Sequence, residues 1–271
     1  MKKSSVLNEK MQIFIRNIYV FIMKIVKINE SQKKRLFEAY REGFSFDELS
    51  VLGNDAFSDE EYNGKLQFEY CKKWLGKPVA QGTSRCVFML SDNLVLKLAN
   101  GKYEAGKAQN RLECQLYEDI QSPLLVRIFG NDENFSYIIC ENVVPAQPID
   151  FEKIIDIPFY NRYYDQRNSE YSQYFENPKG VNNKVPYDVY DIVCYLEANY
   201  TIGEGYYHKE IEEYIRKNPW LKELKTFIMN TQIGDLTKPD NYGIVNRDGK
   251  PMIVILDAGM NLENWETYYH G

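Results

Sequence analysis

Residues 233–259 read IGDLTKPDNYGIVNRDGKPMIVILDAG and contain two aspartates, Asp235 and Asp257, that are candidates for a functional role. Asp235 lies in a short polar loop that follows an apolar helical pattern, where a simple loop cap is the alternative to a functional role. Asp257 ends a strongly apolar strand and precedes a glycine turn. A charged side chain in that position is unfavourable unless its charge serves binding or catalysis, so Asp257 is a candidate functional residue. The residues joining the two aspartates predict a β-hairpin that turns at 246–249.

Residues 76–145 carry short runs of β-type sequence. They predict five strands, at Val79–Ala80, Cys86–Leu90, Leu94–Ala99, Leu125–Phe129 and Tyr137–Cys140. A helical pattern at about residues 104–120 separates the first three strands from the last two. We therefore expect a small antiparallel sheet with one helix in this part of the chain.

Residues 146–271 are predicted to be mainly helical. Apolar residues at helical spacing indicate helices at Tyr187–Ala198, Lys209–Lys217 and Pro219–Met229. Between the sheet and these helices, residues 159–178 are rich in Tyr, Asn, Gln and Ser and show neither a helical nor a strand period. We expect a long surface loop there.

Residues 1–75 are predicted to form an amino-terminal helical extension. One amphipathic helix is expected at residues 29–42, and a second is expected to begin at Ser58, where Ser58 and Glu61 match a capping box. The apolar segment Met11–Val26 is interrupted by charged residues and is shorter than a bilayer-spanning helix. We therefore expect no membrane partner and a cytoplasmic location.

Composition excludes several classes of protein. With 33 Lys and Arg against 39 Asp and Glu, the net charge is −6, which disfavours binding to nucleic acid or an anionic membrane. The five cysteines are an odd number without a C-x-x-C pair, so we expect reduced core residues and not a disulfide framework or zinc site. Only two histidines are present, so acid–base chemistry is expected to fall to carboxylates.

The predicted strand Leu94–Ala99 contains one cation, Lys97, among apolar residues. Alternation along a strand places Lys97 on the same face as Val95 and Ala99. Two interpretations remain open, a buried ammonium that serves a site or an edge-strand lysine that reaches solvent. A buried lysine requires an anionic partner, for which the following helix offers Glu113, with Glu118 as the alternative.

In their order along the chain, these segments resemble the protein-kinase-like superfamily. Five segments resemble, in turn, its phosphate-binding loop, strand lysine, hinge, catalytic loop and magnesium-binding D-x-G turn: Gly82–Val87, Val95–Lys97, Glu141–Pro145, Gly234–Asn241 and Asp257–Gly259. The resemblance implies an α+β, protein-kinase-like two-lobed fold with a small antiparallel sheet in the amino-terminal lobe. It also implies a mainly helical carboxy-terminal lobe, so the expected domains are 1–75, 76–145 and 146–271.

The resemblance also implies the cofactors, ATP and Mg²⁺, and a role for each matching residue. Asp235 and Lys97 would be catalytic, Asp235 by orienting or deprotonating the acceptor hydroxyl. Asn241 and Asp257 would bind the metal. The residues expected to bind the nucleotide are Gly82, Thr83, Ser84, Arg85, Lys97, Glu113, Glu141 and Val143.

Several positions differ from the protein-kinase pattern and leave alternatives open. The catalytic loop is one residue longer, so Asp240 is the alternative to Asn241 as second metal ligand. After Asp257 the sequence has no room for an activation segment or for peptide-docking helices. We therefore expect an atypical ATP-dependent phosphotransferase that acts on a small-molecule or protein hydroxyl. A pseudokinase scaffold is the alternative, and nucleotidyl transfer, suggested only by Arg85, is a third.

Overall fold

The computed structural model describes residues 44–53, 60–159, 187–203 and 207–270. Within these residues the chain forms eight α-helices and two antiparallel sheets, of five and three strands. This confirms the α+β class. The predicted helix at residues 29–42, the segment Met11–Val26, the cap Ser58 and most of the predicted loop at 159–178 lie outside the described residues. Among the described helices, none is long and apolar enough to cross a membrane.

The chain divides into two compact units. The first comprises Met1–Asn110 and Arg127–Asn142, and the second comprises Arg111–Val126 and Val143–Gly271. The chain last passes from the first unit to the second at Asn142–Val143, which lies inside the segment Glu141–Pro145 that was predicted to be a hinge.

The first unit contains the larger sheet and two helices that precede it. Its helices are α1 (Phe46–Gly53) and α2 (Glu60–Leu75), and its strands are β1 (Ala80–Gln81), β2 (Arg85–Ser91), β3 (Leu94–Ala99), β4 (Ile128–Asn131) and β5 (Tyr137–Glu141). The strand order is β1-β2-β3-β5-β4, which makes β3 the central strand. Leu94, Leu96 and Leu98 of β3 share a core with Leu49 of α1 and Cys71 of α2. The described helices of the predicted extension therefore pack in one core with the sheet.

A buried glutamine ties α2 to the rest of this unit. Gln67 is fully buried, and its side-chain amide donates to the carbonyl of Leu49 at 2.9 Å and to the hydroxyl of Ser136 at 2.8 Å. Its side-chain oxygen accepts a hydrogen bond of 2.9 Å from the Tyr103 hydroxyl. Tyr103 begins α3 (Tyr103–Asp119). Since each buried polar atom of Gln67 has a partner, the network fixes α1, α2 and the start of α3 together.

The second unit contains the smaller sheet and the remaining helices. Its elements are β6 (Val144–Pro145), α4 (Pro148–Ile155), α5 (Val189–Leu196), a π-helix (Glu197–Ile202), α6 (Lys209–Lys217), α7 (Pro219–Thr231), a 3₁₀ turn (Pro239–Asn241), β7 (Tyr242–Arg247), β8 (Lys250–Ile255) and α8 (Leu262–Tyr268). The three strands are antiparallel in the order β6-β7-β8. The predicted hairpin and the predicted helices α6 and α7 are thus confirmed.

Polar residues fix where the helices of the second unit begin. Asp188 accepts a hydrogen bond of 2.9 Å from the amide of Asp191 and caps α5. Asn218 accepts one of 3.1 Å from the amide of Leu221 and caps α7, and its side-chain amide donates to the carbonyl of Ile155 at 2.8 Å. Such caps satisfy the free amides of a first helical turn.

The core of the second unit is built around aromatic rings. Phe151 contacts Phe159, Trp220 and Tyr242 edge to face, with ring centroids 4.8, 6.2 and 5.3 Å away. Tyr242 is fully buried at the start of β7, and its hydroxyl donates to the carbonyl of Leu236 at 2.8 Å. The core therefore reaches the loop that carries Asp235.

One predicted strand begins later than expected. The prediction was Leu125–Phe129, whereas β4 begins at Ile128. Leu124 and Leu125 instead belong to the core of the second unit, where the amide of Ile255 donates to the carbonyl of Leu124 at 2.7 Å. The apolar pattern at residues 125–129 indicates buried side chains but does not show which of the two cores each residue enters. The prediction therefore included Leu125 in the strand.

Candidate functional site

Two loops of the second unit carry the predicted catalytic Asp235 and the predicted metal-binding residues Asn241 and Asp257. The first joins α7 to β7 and contains Asp235, and the second joins β8 to α8 and contains Asp257. The amide of Gly234 donates to the carbonyl of Met260 at 3.0 Å, and the amide of Leu256 donates to the carbonyl of Asn241 at 2.7 Å. These bonds, one at each end of the first loop, hold the two loops side by side.

Asp235 has an unusual backbone conformation for a residue with a side chain. Its φ of +61° lies in the left-handed region, which Asp tolerates better than most residues but which still costs energy. The side-chain amide of Asn241 donates to the carbonyl of Asp235. The Asp235 carboxylate is paired with the ammonium of Lys238 at 2.7 Å, and both side chains are 40% exposed. The loop therefore presents a carboxylate and a cation at its accessible surface.

The structure distinguishes the two alternatives for the second metal ligand by their surroundings. Asn241 is partly buried, and its backbone carbonyl binds the residue that immediately precedes Asp257. Because its amide nitrogen binds Asp235, its side-chain oxygen is the atom that a cation would take. Asp240 is exposed. Asn241 therefore remains the candidate for the second metal ligand, because its backbone bonds to the residue next to Asp257.

The turn that contains Asp257 is fixed from its carboxyl-terminal side. One carboxylate oxygen of Asp257 accepts a hydrogen bond of 3.3 Å from the amide of Gly259. The side chain of Asn264 in α8 donates to the carbonyl of Gly259 at 3.0 Å, and Asn261 caps the same helix. A backbone amide of its own turn thus contacts the Asp257 carboxylate.

The described residues contain no group of three His, Cys, Asp or Glu side chains able to hold a metal ion. The predicted pair, Asp257 and Asn241, is one carboxylate and one amide. Magnesium is commonly bound by one or two such oxygen ligands together with substrate phosphates and water. The chemistry of this pair therefore fits Mg²⁺ when it is bound with a nucleotide.

Glu197 is a site residue that the sequence analysis missed. It opens the π-helix that follows α5, and its carboxylate accepts a hydrogen bond of 2.7 Å from the amide of Leu236. Burial raises the pKa of Glu197 to about 7; the Asp235 charge adds to the rise, while the Leu236 amide and Lys238 oppose it. A signal existed in the sequence, because Glu197 continues the apolar spacing of Val193 at i+4 and so falls on the buried face.

In the first unit, the predicted phosphate-binding turn is a short hairpin between β1 and β2. The amide of Gly82 donates to the carbonyl of Arg85 at 2.8 Å. Gly82 and Thr83 are exposed, whereas Ser84 and Arg85 are buried. Ser84 donates to Gln109 at 2.9 Å. The turn thus exposes only its first half.

The buried half of this turn packs against α3. Arg85 donates to the side-chain oxygen of Asn110 in α3 at 3.3 Å. Gly106 of the same helix lies so close to the turn that a Cβ on it would be 2.2 Å from the carbonyl oxygen of Ser84. The position of the turn is therefore set by contact with α3.

Lys97 lies on the central strand of the five-stranded sheet, opposite Val87 of β2 and Ile138 of β5. Only 8% of Lys97 is exposed, which rules out the edge-strand interpretation. Its neighbours Leu96 and Leu98 enter the core of the first unit, so alternation places Lys97 on the other face of the sheet. Val95 and Ala99 alternate with the same two leucines along β3, so they lie on the face that carries Lys97, as predicted.

The remaining predicted nucleotide-binding residues lie at separate places. Glu113 is 3% exposed and lies on α3, in the part assigned to the second unit. Glu141 ends β5, and its carboxylate accepts a hydrogen bond of 3.2 Å from the amide of Arg127. Val143 begins the second segment of the second unit and precedes β6. Lys97 and Glu141 thus belong to the first unit, and Glu113 and Val143 to the second.

Comparison with known proteins adds no identification. No protein family, curated protein or solved structure matches this chain.

Proposed function

We propose that this chain is an ATP- and Mg²⁺-dependent phosphotransferase of atypical kinase-like type, acting on a hydroxyl of a small molecule or a protein. We also propose a protein-kinase-like two-lobed fold, in which the five-stranded sheet belongs to the amino-terminal lobe. The observation that carries the proposal is the loop pair of the second unit. Two aspartates that are 22 positions apart in the sequence lie on loops joined by backbone hydrogen bonds, together with an asparagine that offers an oxygen.

Each residue of the loop pair has a role in this proposal. Asp257 and Asn241 offer the oxygen atoms that would hold Mg²⁺, and Asp235 would orient the acceptor hydroxyl and take its proton. ATP with Mg²⁺ supplies the terminal phosphoryl group when bound. Such a role requires an accessible carboxylate on a backbone that is fixed in position, because acid–base catalysis depends on the placement of the catalytic group. Asp235 has an accessible carboxylate and a backbone held in the left-handed conformation.

Lys97 supports the proposal from the first unit. Lys97 is a buried ammonium on a central strand, and in this proposal it binds the nucleotide phosphates. Gly82 and Thr83 are the exposed residues of the turn and would contact phosphate through their backbone, while Ser84 and Arg85 hold the turn against α3. The backbone of Glu141 and Val143 would bind adenine.

A cytoplasmic location is part of the proposal. The described residues include all five cysteines and contain no disulfide, and Cys71, Cys86, Cys114 and Cys140 are buried. Burial raises the pKa of Cys86 to about 12, which makes its thiol unreactive. Buried cysteines without disulfides are typical of proteins in a reducing compartment.

Transfer from labelled ATP tests the proposed function. The purified chain is incubated with ATP labelled at the γ-phosphate or at the α-phosphate, with Mg²⁺, and with a panel of small-molecule and protein hydroxyl acceptors. We expect label to be transferred from the γ-position only, and Lys97→Met and Asp257→Asn to abolish transfer. Lys77→Met and Asp119→Asn, at exposed positions, serve as matched controls.

Each other outcome rejects the proposed function in a different way. Transfer of the α-label would show nucleotidyl transfer. ATP binding without any transfer would indicate a pseudokinase. Equal transfer by wild type and Asp257→Asn would remove the metal role assigned to Asp257.

A further inference from the structure

The loop that carries Asp235 is held on one side by the π-helix Glu197–Ile202. The Thr201 hydroxyl donates to the carbonyl of Ile233 at 3.1 Å, and the Glu197 carboxylate accepts from the amide of Leu236 at 2.7 Å. These two contacts fall on either side of Asp235. A π-turn within helical structure is uncommon and is often found at functional sites.

Both backbone groups of Leu236 are fixed. Its carbonyl accepts from the buried hydroxyl of Tyr242, and its amide donates to Glu197. Asp235, directly before it, has a left-handed φ of +61° that persists only if its surroundings impose it. The contact of Glu197 is therefore one of the constraints that set the direction of the Asp235 side chain.

The charge on Glu197 is not needed for holding an amide. A glutamine would accept the same hydrogen bond without bringing a second carboxylate close to Asp235. The groups that act on Glu197 are Asp235 and Lys238 on the loop, and Glu197 in turn raises the pKa of the Tyr242 phenol, which is already raised by burial. Burial and the nearby Asp235 both disfavour the charge on Glu197. A carboxylate in such surroundings beside a candidate catalytic residue is itself a candidate for a functional role.

We propose that Glu197 is the positioning residue of the catalytic loop, and that it holds Asp235 in its working direction through the amide of Leu236. This inference rests on the proposed function. The ionised carboxylate makes a charge-assisted and therefore stronger hydrogen bond than the protonated acid does. Phosphoryl transfer is accordingly fastest when Glu197 is ionised, and the rate rises as pH increases through the range in which Glu197 loses its proton.

Three variants test this role in the full-length chain. Glu197→Ala removes the acceptor, Glu197→Gln keeps an oxygen acceptor of the same shape without a titratable charge, and Glu213→Gln changes an exposed glutamate of α6 as a control. For Glu197→Ala we expect kcat to fall by about 100-fold, as for a small misplacement of a catalytic group, with the KM for ATP nearly unchanged. Glu197→Gln, a neutral acceptor like the protonated acid, should have a kcat between those of wild type and Glu197→Ala, and that kcat should no longer rise between pH 6 and 8.

A second readout does not depend on activity. In ¹⁵N-labelled protein, the amide resonance of Leu236 should titrate near pH 7 in wild type and in Glu213→Gln, and should not titrate in Glu197→Gln. A folded Glu197→Ala variant with kcat within about threefold of wild type would overturn the inference, because the loop would then be positioned without this contact. A Leu236 resonance that titrates identically in Glu197→Gln would overturn it as well. If wild type transfers no phosphate, the proposed function fails, and the amide titration alone decides whether Glu197 holds the loop.

Discussion

The side-chain amide of Asn241 donates a hydrogen bond to the backbone carbonyl of Asp235, six residues earlier in the same loop. The bond closes the loop on itself and leaves Asp235 with a left-handed backbone. The backbone carbonyl of Asn241 binds the amide of Leu256 in the neighbouring loop. One asparagine thus contacts Asp235 through its side chain and the loop of Asp257 through its backbone.

The strain at Asp235 can be measured by comparing two substitutions. Glycine adopts a φ of +61° without penalty, whereas alanine adopts it only at a cost in free energy. Both substitutions remove the carboxylate and its pairing with Lys238. Asp235→Gly should therefore be more stable than Asp235→Ala by about 1 kcal/mol in urea unfolding. At Glu213, in the interior of α6, the order should reverse, because glycine is the poorer helix former. Asp235→Ala proving the more stable of the pair would show that the backbone of Asp235 is unstrained.

Glu197 should give the stability of the protein a distinct pH dependence. Its pKa is about 7 in the folded state against an ordinary value of 4.5, so the folded state holds a proton that the unfolded state releases. The corresponding stabilisation is complete below pH 4.5 and is lost as the pH rises through 7. Relative to Glu197→Gln, wild type should lose up to about 3 kcal/mol of unfolding free energy between pH 5 and pH 8.

The measurement for Glu197 is urea unfolding of both proteins across that pH range. Substitution Glu213→Gln, which changes an exposed glutamate, should leave the wild-type pH dependence intact. Parallel curves for wild type and Glu197→Gln would mean that Glu197 has an ordinary pKa in the folded protein.

Gly106 should not tolerate a side chain, although alanine usually stabilises a helix. A Cβ at this position would lie 2.2 Å from the carbonyl oxygen of Ser84 and 2.9 Å from the Cα of Ala99. Gly106→Ala should destabilise the protein by about 2 kcal/mol or more, because backbone atoms must move apart. Gly82→Ala is the control, since its Cβ would make an ordinary contact of 3.7 Å with the carbonyl oxygen of Arg85. A Gly106→Ala protein as stable as wild type would show that α3 and the turn are not in close contact.

Sequence patterns were sufficient where local periodicity decides the structure. The strand Leu94–Ala99 and the helix Lys209–Lys217 have the bounds that alternation and helical spacing predicted. The hairpin of β7 and β8 was predicted from its turn residues and apolar runs, although its predicted strands, Gly243–Val245 and Met252–Leu256, differ from the observed bounds at their ends. In each case residues close in sequence carry the relevant interactions, so the pattern is visible without tertiary information.

Contacts between residues that are far apart in the sequence could not be predicted from local patterns. The sequence left open whether Lys97 lies on an edge strand, because strand order is not encoded locally, and the structure places it on the central strand. Glu197 was missed because the helical pattern continues through it, whereas its role comes from a hydrogen bond to Leu236, 39 residues later. The bond from Gly234 to Met260 that joins the two loops is equally invisible to a pattern search.

Calorimetric titration with a non-hydrolysable ATP analogue, with and without Mg²⁺, tests the central claim most directly. We expect one binding site in wild type and in Asp119→Asn whose affinity is at least about tenfold higher with Mg²⁺ than without it. Asp257→Asn should bind the analogue with the same weak affinity in both conditions. Absence of binding to wild type, or an equal magnesium effect in wild type and Asp257→Asn, would contradict the account.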